Sequence, residues 1–321
     1  MINVGYRKQK KVAKEKIQAY CYGVWKLIGI IVIVLTLFNV VFSIYWKDKT
    51  RLYYLDVGQG DACVITHNQQ TFLVDGGGNR YMDDANNIGR RVVYPFLLDK
   101  KIDNIDVAFI SHMHYDHVKG ILELLEYVNI EKVAISHVYK TIIEDQDRLQ
   151  ESPLIEELIN GCYENGSELL FLEAGDIIVG ENIRVECHYP YAKTPYQENE
   201  NNNSMILELV THQRRILFTG DIEEDVERLI VNEGLNNTSI DLLKVAHHGS
   251  KTSSSRMFLE MLKPSVGIIS VGKNNHGHPS QEVLKRYEEF KIPVYLTKDY
   301  GMIEVIIDKK ELKIKTYLIK D

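Results

Sequence analysis

The chain has 321 residues, 45% of them apolar, only seven prolines and a formal net charge of −7, which excludes a disordered or low-complexity protein and leaves room for one large domain or two small ones. The charge is uneven. Residues 1–46 hold seven Lys/Arg against one acid, Glu15, so the remainder carries 31 basic and 44 acidic side chains, a balance of −13 that argues against a broad electrostatic grip on nucleic acid.

A basic tail, residues 1–26, opens the chain. "LIGIIVIVLTLFNVVFSIY" (27–45) follows without a charge. At about 1.5 Å per residue it is long enough as a helix to cross most of a bilayer's hydrocarbon core. Trp25 and Tyr45–Trp46 flank it, where aromatic rings favour the interface. No A-x-A-like site follows, so the segment reads as an uncleaved transmembrane anchor, 27–46. Seven basic residues precede it and only Lys47, Lys49 and Arg51 follow closely, which places the N-terminus in the cytoplasm and the domain of residues 51–321 outside.

From residue 51 short apolar strands alternate with amphipathic helices. "RLYYLDV", "ACVITH" and "TFLVDGGG" read as strands joined by polar turns. Residues 85–100 read as helical with a break at Pro95. "IDVAFI" is a buried strand, "VKGILELLEYV" a helix, "KVAISHVY" a strand, and a helix follows near 149–160. "ELLFLEAGDIIV" and "IRVECHYP" return to strand; "YAKTPYQENENNNS" is a polar loop; "MILELVTHQRRILFTGD" is a hairpin. Helices near 223–233, 255–262 and "PSQEVLKRYEEF", with Pro279 in its first turn, alternate with strands "IDLLKVAHH", "SVGIISVG", "PVYLT", "GMIEVII" and "LKIKTYL". The pattern suits two packed sheets with helices outside, an α/β sandwich. Cys21, Cys63, Cys162 and Cys187 lack CxxC spacing, and Cys63 and Cys187 read as buried small hydrophobes.

The chemistry concentrates in "SHMHYDH" (111–117), which ends a buried strand. Buried imidazoles and carboxylates without partners are costly, and a cation removes the cost. His112 and His114, two apart on an extended loop, point one way; Asp116 and His117, where the chain turns into a helix, reach a second point, so one cluster serves two adjacent ions. "LFTGD" places Asp221 after another strand, where one carboxylate can bridge two metals or, alternatively, cap a helix. "VAHHGS" places His247 and His248 after a third, one as ligand, for which His247 is preferred, and the other as a hydrogen-bonding neighbour. The run "GSKTSSSRMF" can open a helix whose N–H groups favour phosphate, helped by Ser250 and Lys251, or can simply be capped by Ser254 or Ser255.

With "LDVGQGDA" (55–62), "LVDGGG" (73–78), "NNNS" (201–204), "LFTGD", "VAHHGSKTSSS" and "SVGKNNHGHPS" in this order, the chain resembles the metallo-β-lactamase superfamily, and within it the soluble hydrolase domain of ComEC-type competence DNA-uptake proteins. The resemblance implies a four-layer αββα sandwich. It implies two divalent ions, zinc or manganese, one on His112 and His114 and the other on Asp116, His117 and His247, with Asp221 between them. Asp116 would also orient a water or take its proton, and His278 would donate to a leaving oxygen. His248, Ser250, Lys251, Asn203 and Ser204 would meet substrate phosphate, and Gly76, Gly77 and Gly78 would let backbone approach the metal loops. The superfamily often gives the first site a third histidine; His188 is the nearest candidate, His137 a weaker one, and both also read as structural. The implied activity is that of a membrane-anchored phosphodiesterase or nuclease acting on DNA outside the cytoplasm. Alternatives are a hydrolase of another extracellular ester, such as a cell-wall polymer or a choline-phosphate decoration, and a non-catalytic metal-binding scaffold. ComEC-type proteins join this domain to a many-spanning channel, whereas one anchor is read here, so DNA uptake by this chain alone is not implied and a separate channel protein is one candidate partner.

Overall fold

The computed structural model describes residues 3–47, 49–78, 87–235 and 239–318. The chain forms two units, Met1–Asp48 and Lys49–Asp321.

The first unit is one helix, α1 (Asn3–Lys47). Its stretch Lys14–Val41 is long and apolar enough to cross a membrane, and the apolar side chains described there, from Tyr20 to Val41, are exposed. The helix starts well before the apolar run because the basic segment is rich in Lys, a good helix former, and holds no proline. Trp25 is exposed as expected of an interfacial ring, while the side chains of Tyr45 and Trp46 lie outside the described residues.

In the second unit the strands are β1 (Thr50–Tyr54), β2 (Ala62–His67), β3 (Gln70–Gly76), β4 (Asn104–Phe109), β5 (Asn129–Ser136), β6 (Glu168–Leu172), β7 (Ile177–Gly180), β8 (Ile183–Tyr189), β9 (Ile206–Thr211), β10 (Arg214–Phe218), β11 (Leu242–Lys244), β12 (Gly267–Ile269), β13 (Val294–Leu296), β14 (Ile303–Ile307) and β15 (Leu312–Thr316). The helices are α2 (Tyr94–Lys100), α3 (Tyr115–Leu124), α4 (Lys140–Ile143), α5 (Gln146–Gln150), α6 (Pro153–Asn165), α7 (Glu224–Glu233), α8 (Arg256–Leu262), α9 (Gln281–Glu289) and α10 (Thr297–Tyr300). Among the described residues the strands form two sheets, ordered β15-β14-β1-β2-β3-β4-β5-β6 and β13-β12-β11-β10-β9-β8-β7.

Period-two alternation builds the layers. Leu52 and Tyr54 of β1, Cys63 and Ile65 of β2 and Ile216 and Phe218 of β10 face a shared core between the sheets. Their neighbours Tyr53 and Val64 face helices on one outer side, and Leu217 faces helices on the other. The result is the expected αββα sandwich. β3–β4–β5 run parallel in one sheet and β10–β11–β12–β13 in the other, so the loops after β3, β4, β10, β11 and β12 leave from C-terminal strand ends, where such sheets hold their ligands.

Several local expectations change. "ELLFLEAGDIIV" is not one strand: β6 ends the first sheet and β7 edges the second, with a turn at 173–176 between them. Pro279 precedes α9 instead of lying in its first turn; Ser280 is the cap and its hydroxyl accepts from Val283 N–H. The break at Pro95 holds, since a wide turn, Gly89–Val93, gives way to α2 with the proline in its first turn; residues 85 and 86 lie outside the described set.

The helix bearing the histidine cluster is seated on β3 backbone to backbone. Gly120 N–H donates to the Gly77 carbonyl at 2.8 Å, and a Cβ on Gly120 would overlap the carbonyl of Gly76. Gly→Ala inside a helix ordinarily stabilises by about 1 kcal/mol. At Gly120 the sign should reverse: Gly120→Ala should destabilise by about 1–3 kcal/mol, as over-packing does, and lower the thermal midpoint of the purified protein.

Candidate metal centre

The loop after β4 carries Ser111 to His114, and α3 begins at Tyr115 with His114 at its N-cap position in an extended conformation. This bend turns the two pairs to different points. His112 Nε2 and His114 Nδ1 face each other at 3.0 Å. Two nitrogens bound tetrahedrally to one cation at about 2.0–2.1 Å would stand roughly 3.3 Å apart, so the pair is close to a chelating geometry. His117, at the buried first turn of α3, places Nε2 3.3 Å from Asp221 Oδ2. One trio of donor atoms, from His112, His117 and Asp221, lies within 4.8 Å, and so does a second, from Asp116, His117 and His248. Asp221 follows β10 and is buried; the cap of α7 is Glu223, so Asp221 is not a capping residue.

The tandem histidines are assigned the other way round from the sequence expectation. His247 and His248 both sit in the left-handed backbone region, φ 49° and 51°, and the turn swings His248 inward. Buried His248 donates from Nδ1 to the Ser270 carbonyl at 2.8 Å, which presents Nε2 to Asp116 and Asp221 at 3.4 and 3.5 Å. His247 remains at the cleft, its Nε2 3.9 Å from Asp221 and its Nδ1 3.5 Å from Glu223. The geometry thus places His248, and not the expected His247, among the buried donor atoms. A strand-end rule cannot tell two adjacent residues apart, because the double left-handed turn decides which one faces in.

Sequence reasoning missed the layer behind these ligands. Asp75 accepts from Ser111 N–H and Oγ–H at 2.7 and 2.9 Å and lies 2.9 Å from His117 Nδ1, so it orients that ring. Asp61 is paired with buried Lys244 at 2.6 Å and lies 3.7 Å from His248. Both aspartates stood in the glycine-rich motifs "LDVGQGDA" and "LVDGGG", whose signal was credited to the glycines. The glycines do allow close approach: a Cβ on Gly78 would strike the Tyr115 carbonyl.

Burial pulls the pKa of His112 well below its ordinary value, with His117 adding to the effect, so its nitrogen is free to bind a metal. Burial also pulls His117 and His248 down, but Asp221 with Asp75 and Asp61 outweighs it and holds both raised. Burial pushes Asp116 up, yet the His248 and His117 rings more than reverse this and keep its carboxylate ionised. Even so, Asp61 Oδ1, His117 Nε2, Asp221 Oδ1 and His248 Nε2 are all buried without a hydrogen bond. Divalent cations fit this set: bound among His117, Asp221 and His248 they would supply the missing charge and partners for the bare atoms of those side chains.

The remaining site expectations divide. His278 lines the cleft. Asn203 does not; it is buried, with its amide spent on Gln197 and Glu200. Ser204 is buried and accepts from Asp221 N–H at 3.0 Å, so it places the bridging carboxylate and meets no substrate. Ser250 is buried against Thr252, and exposed Lys251 is outside the cleft lining, which instead includes Lys273. The N–H groups of Ser254 and Ser255 donate to Glu227, and Ser255 caps α8, so no phosphate site opens that helix. His188 lies 2.7 Å from Glu208, which also holds Arg215, so its ring is engaged in the structure, and half-buried His137 is not part of the cleft lining.

Residues 55–191 match the family described as the metallo-β-lactamase superfamily. This stretch is a metallo-β-lactamase domain. The chain is 30% identical over 261 residues to ComE operon protein 3 of Bacillus subtilis, covering 78% of this chain and 32% of that protein. It is 24% identical over 244 residues to endoribonuclease ysh1 of Aspergillus fumigatus, covering 70% of this chain and 26% of that one. It thus spans a quarter to a third of the length of these relatives. The metallo-β-lactamase fold protein YhfI of Bacillus subtilis superimposes with a TM-score of 0.52 at 12% identity, covering 80% of this chain and all of YhfI, which bears on fold alone.

Two substitutions test the assignment. His248→Ala should weaken metal retention at least about tenfold and His247→Ala far less, measured as bound metal after dialysis against a graded chelator. His188→Ala should leave metal content unchanged and cost roughly 1.5–3 kcal/mol of stability, the usual worth of a hydrogen bond to a charged group.

Proposed function

We propose that the protein is a membrane-anchored phosphodiesterase that cuts DNA outside the cytoplasm, with two zinc or manganese ions. The observation that carries this reading is that Asp221 and His248, each with a buried unpartnered atom, line one cleft of about 950 Å³ together with His114 and Asp116. The cleft lining combines the apolar surfaces of Val57, Ile88 and Tyr115 with one cation, Lys273, a combination that suits a nucleoside beside its phosphate. The endoribonuclease relative supports the same reaction class.

Bound cations would supply Lewis acidity and a water that ionises near neutral pH. Asp116, ionised and reaching the cleft, orients that water and takes its proton. His278 acts differently from the proton donor first expected. Burial, reinforced by His247 and His248, pushes its pKa down to about 4, so near neutral pH it is uncharged and offers the leaving oxygen an N–H hydrogen bond, not a full proton. Its position is fixed by Asn274, which accepts from the N–H groups of His276 and His278 at 3.0 and 3.1 Å and donates to the Gly272 and His278 carbonyls. Gly272 in turn packs directly on Gly58, where a Cβ would leave no room. Lys273, exposed on this rigid loop, meets non-bridging phosphate oxygens.

The helix α1 with its basic flank anchors the chain, N-terminus inside. The acidic balance of the soluble part favours one second reading, hydrolysis of a short or zwitterionic ester such as a choline-phosphate decoration.

The detergent-solubilised chain with manganese or zinc should degrade single- or double-stranded DNA. Chelator should abolish this, and Asp116→Ala should slow it about 10³-fold. If choline-phosphate or wall fractions are hydrolysed and DNA is not, the second reading replaces the first; no turnover of any phosphoester rejects both. A phosphatase reporter fused after residue 321 should be active in whole cells, and a cytoplasm-only signal would reverse the topology.

A further inference from the structure

The first cation site, on His112 and His114 with Asp221 beside them, is not completed by either candidate third histidine: His188 is engaged with Glu208, and neither His188 nor His137 lines the cleft that His114 and Asp221 line. The three consecutive asparagines before Ser204 differ sharply in what their side chains do. Asn203 bonds Gln197 and Glu200, and Asn202 Oδ1 accepts from Glu223 N–H at 3.0 Å. Asn201 lines the metal cleft while only 9% exposed, and its Oδ1 is buried with no hydrogen-bond partner. Its orientation is fixed by chemistry. The amide NH₂ donates to Glu223 Oε1 at 3.3 Å, and an ionised carboxylate can only accept, so the amide oxygen must face the other way.

The flanking residues place that oxygen. Glu200 accepts at 2.8 Å from the N–H of Met113, the residue between His112 and His114. Met205 N–H donates to the Ser111 carbonyl at 2.9 Å, and Ser204 Oγ accepts from Asp221 N–H at 3.0 Å. The segment 200–205 is thus fastened on one side to the histidine loop and on the other to the bridging aspartate.

We propose that the amide oxygen of Asn201 is the remaining protein donor of the first cation site and biases that site toward manganese over zinc. An amide oxygen is a harder donor than imidazole, and oxygen donors suit manganese where imidazole suits zinc. The inference rests on the two-cation reading but not on the substrate.

The test uses full-length protein in detergent, stripped with chelator and titrated with manganese, zinc and cobalt, with calorimetry, manganese electron paramagnetic resonance and cobalt absorption as readouts. Wild type should bind two manganese ions. In Asn201→Ala one of the two should weaken at least about tenfold while the other holds. Asn201→Asp, which keeps shape and an oxygen donor, should retain both, and Asn201→His should move the zinc-to-manganese preference at least tenfold toward zinc and change the cobalt spectrum. Two unchanged sites in Asn201→Ala, or equal weakening of both in Asn201→Ala and Asn201→Asp, would overturn the proposal. So would lost turnover with intact metal binding, which would make Asn201 a substrate contact. A wild type that binds no cation removes the two-cation reading as well, whereas two sites indifferent to Asn201 remove this inference alone.

Discussion

Carboxylates taken out of water must meet positive charge or donated hydrogens. Asp61, Asp75 and Asp221 are all nearly sealed from solvent and gather around two buried imidazoles, His117 and His248. Lys244 answers one carboxyl of Asp61, and the Ser111 backbone and hydroxyl answer Asp75. Asp221 receives no comparable fixed partner on Oδ1, and the facing nitrogens of His117 and His248 are left equally bare. The polypeptide balances its outer charges and leaves the inner ones for a cation.

The fold exists to hold that imbalance still. Five strand-end loops from two sheets meet at one edge of the sandwich, and the layers behind them are closed by ordinary alternating apolar side chains. Precision comes from backbone contacts that exclude side chains, Gly120 on Gly76 and Gly272 on Gly58. It also comes from strained residues. Asp75, His247 and His248 all occupy the left-handed region, an uncommon conformation for such side chains, and each is at the centre.

The histidine cluster was legible because its information is local: donors within six positions at the end of an apolar strand need no tertiary knowledge to be noticed. Asp221 was legible for the same reason, through "LFTGD". The choice between His247 and His248 was not, since both share one strand end and differ only in which way a turn throws them. Asp61 and Lys244 were invisible as a pair, because a strand on one sheet and a glycine loop on the other meet only when the sheets stack. That Ser250, Lys251 and Asn203 stand outside the cleft lining was not legible, because hydroxyl, ammonium and amide groups look alike in sequence whether they face a cleft or a neighbour.

By itself the sequence determined the alternation of strands and helices, the layered sandwich that alternation requires, an apolar helix long enough to cross a membrane, and a concentration of metal-binding side chains after the fourth strand. Those properties follow from periodicity and composition, which are written along the chain. Tertiary structure alone decided which donors face one another, which carboxylates stand behind them, and which asparagine of three keeps an oxygen unspent. Those are properties of direction and distance, fixed only when loops distant in sequence are packed against each other.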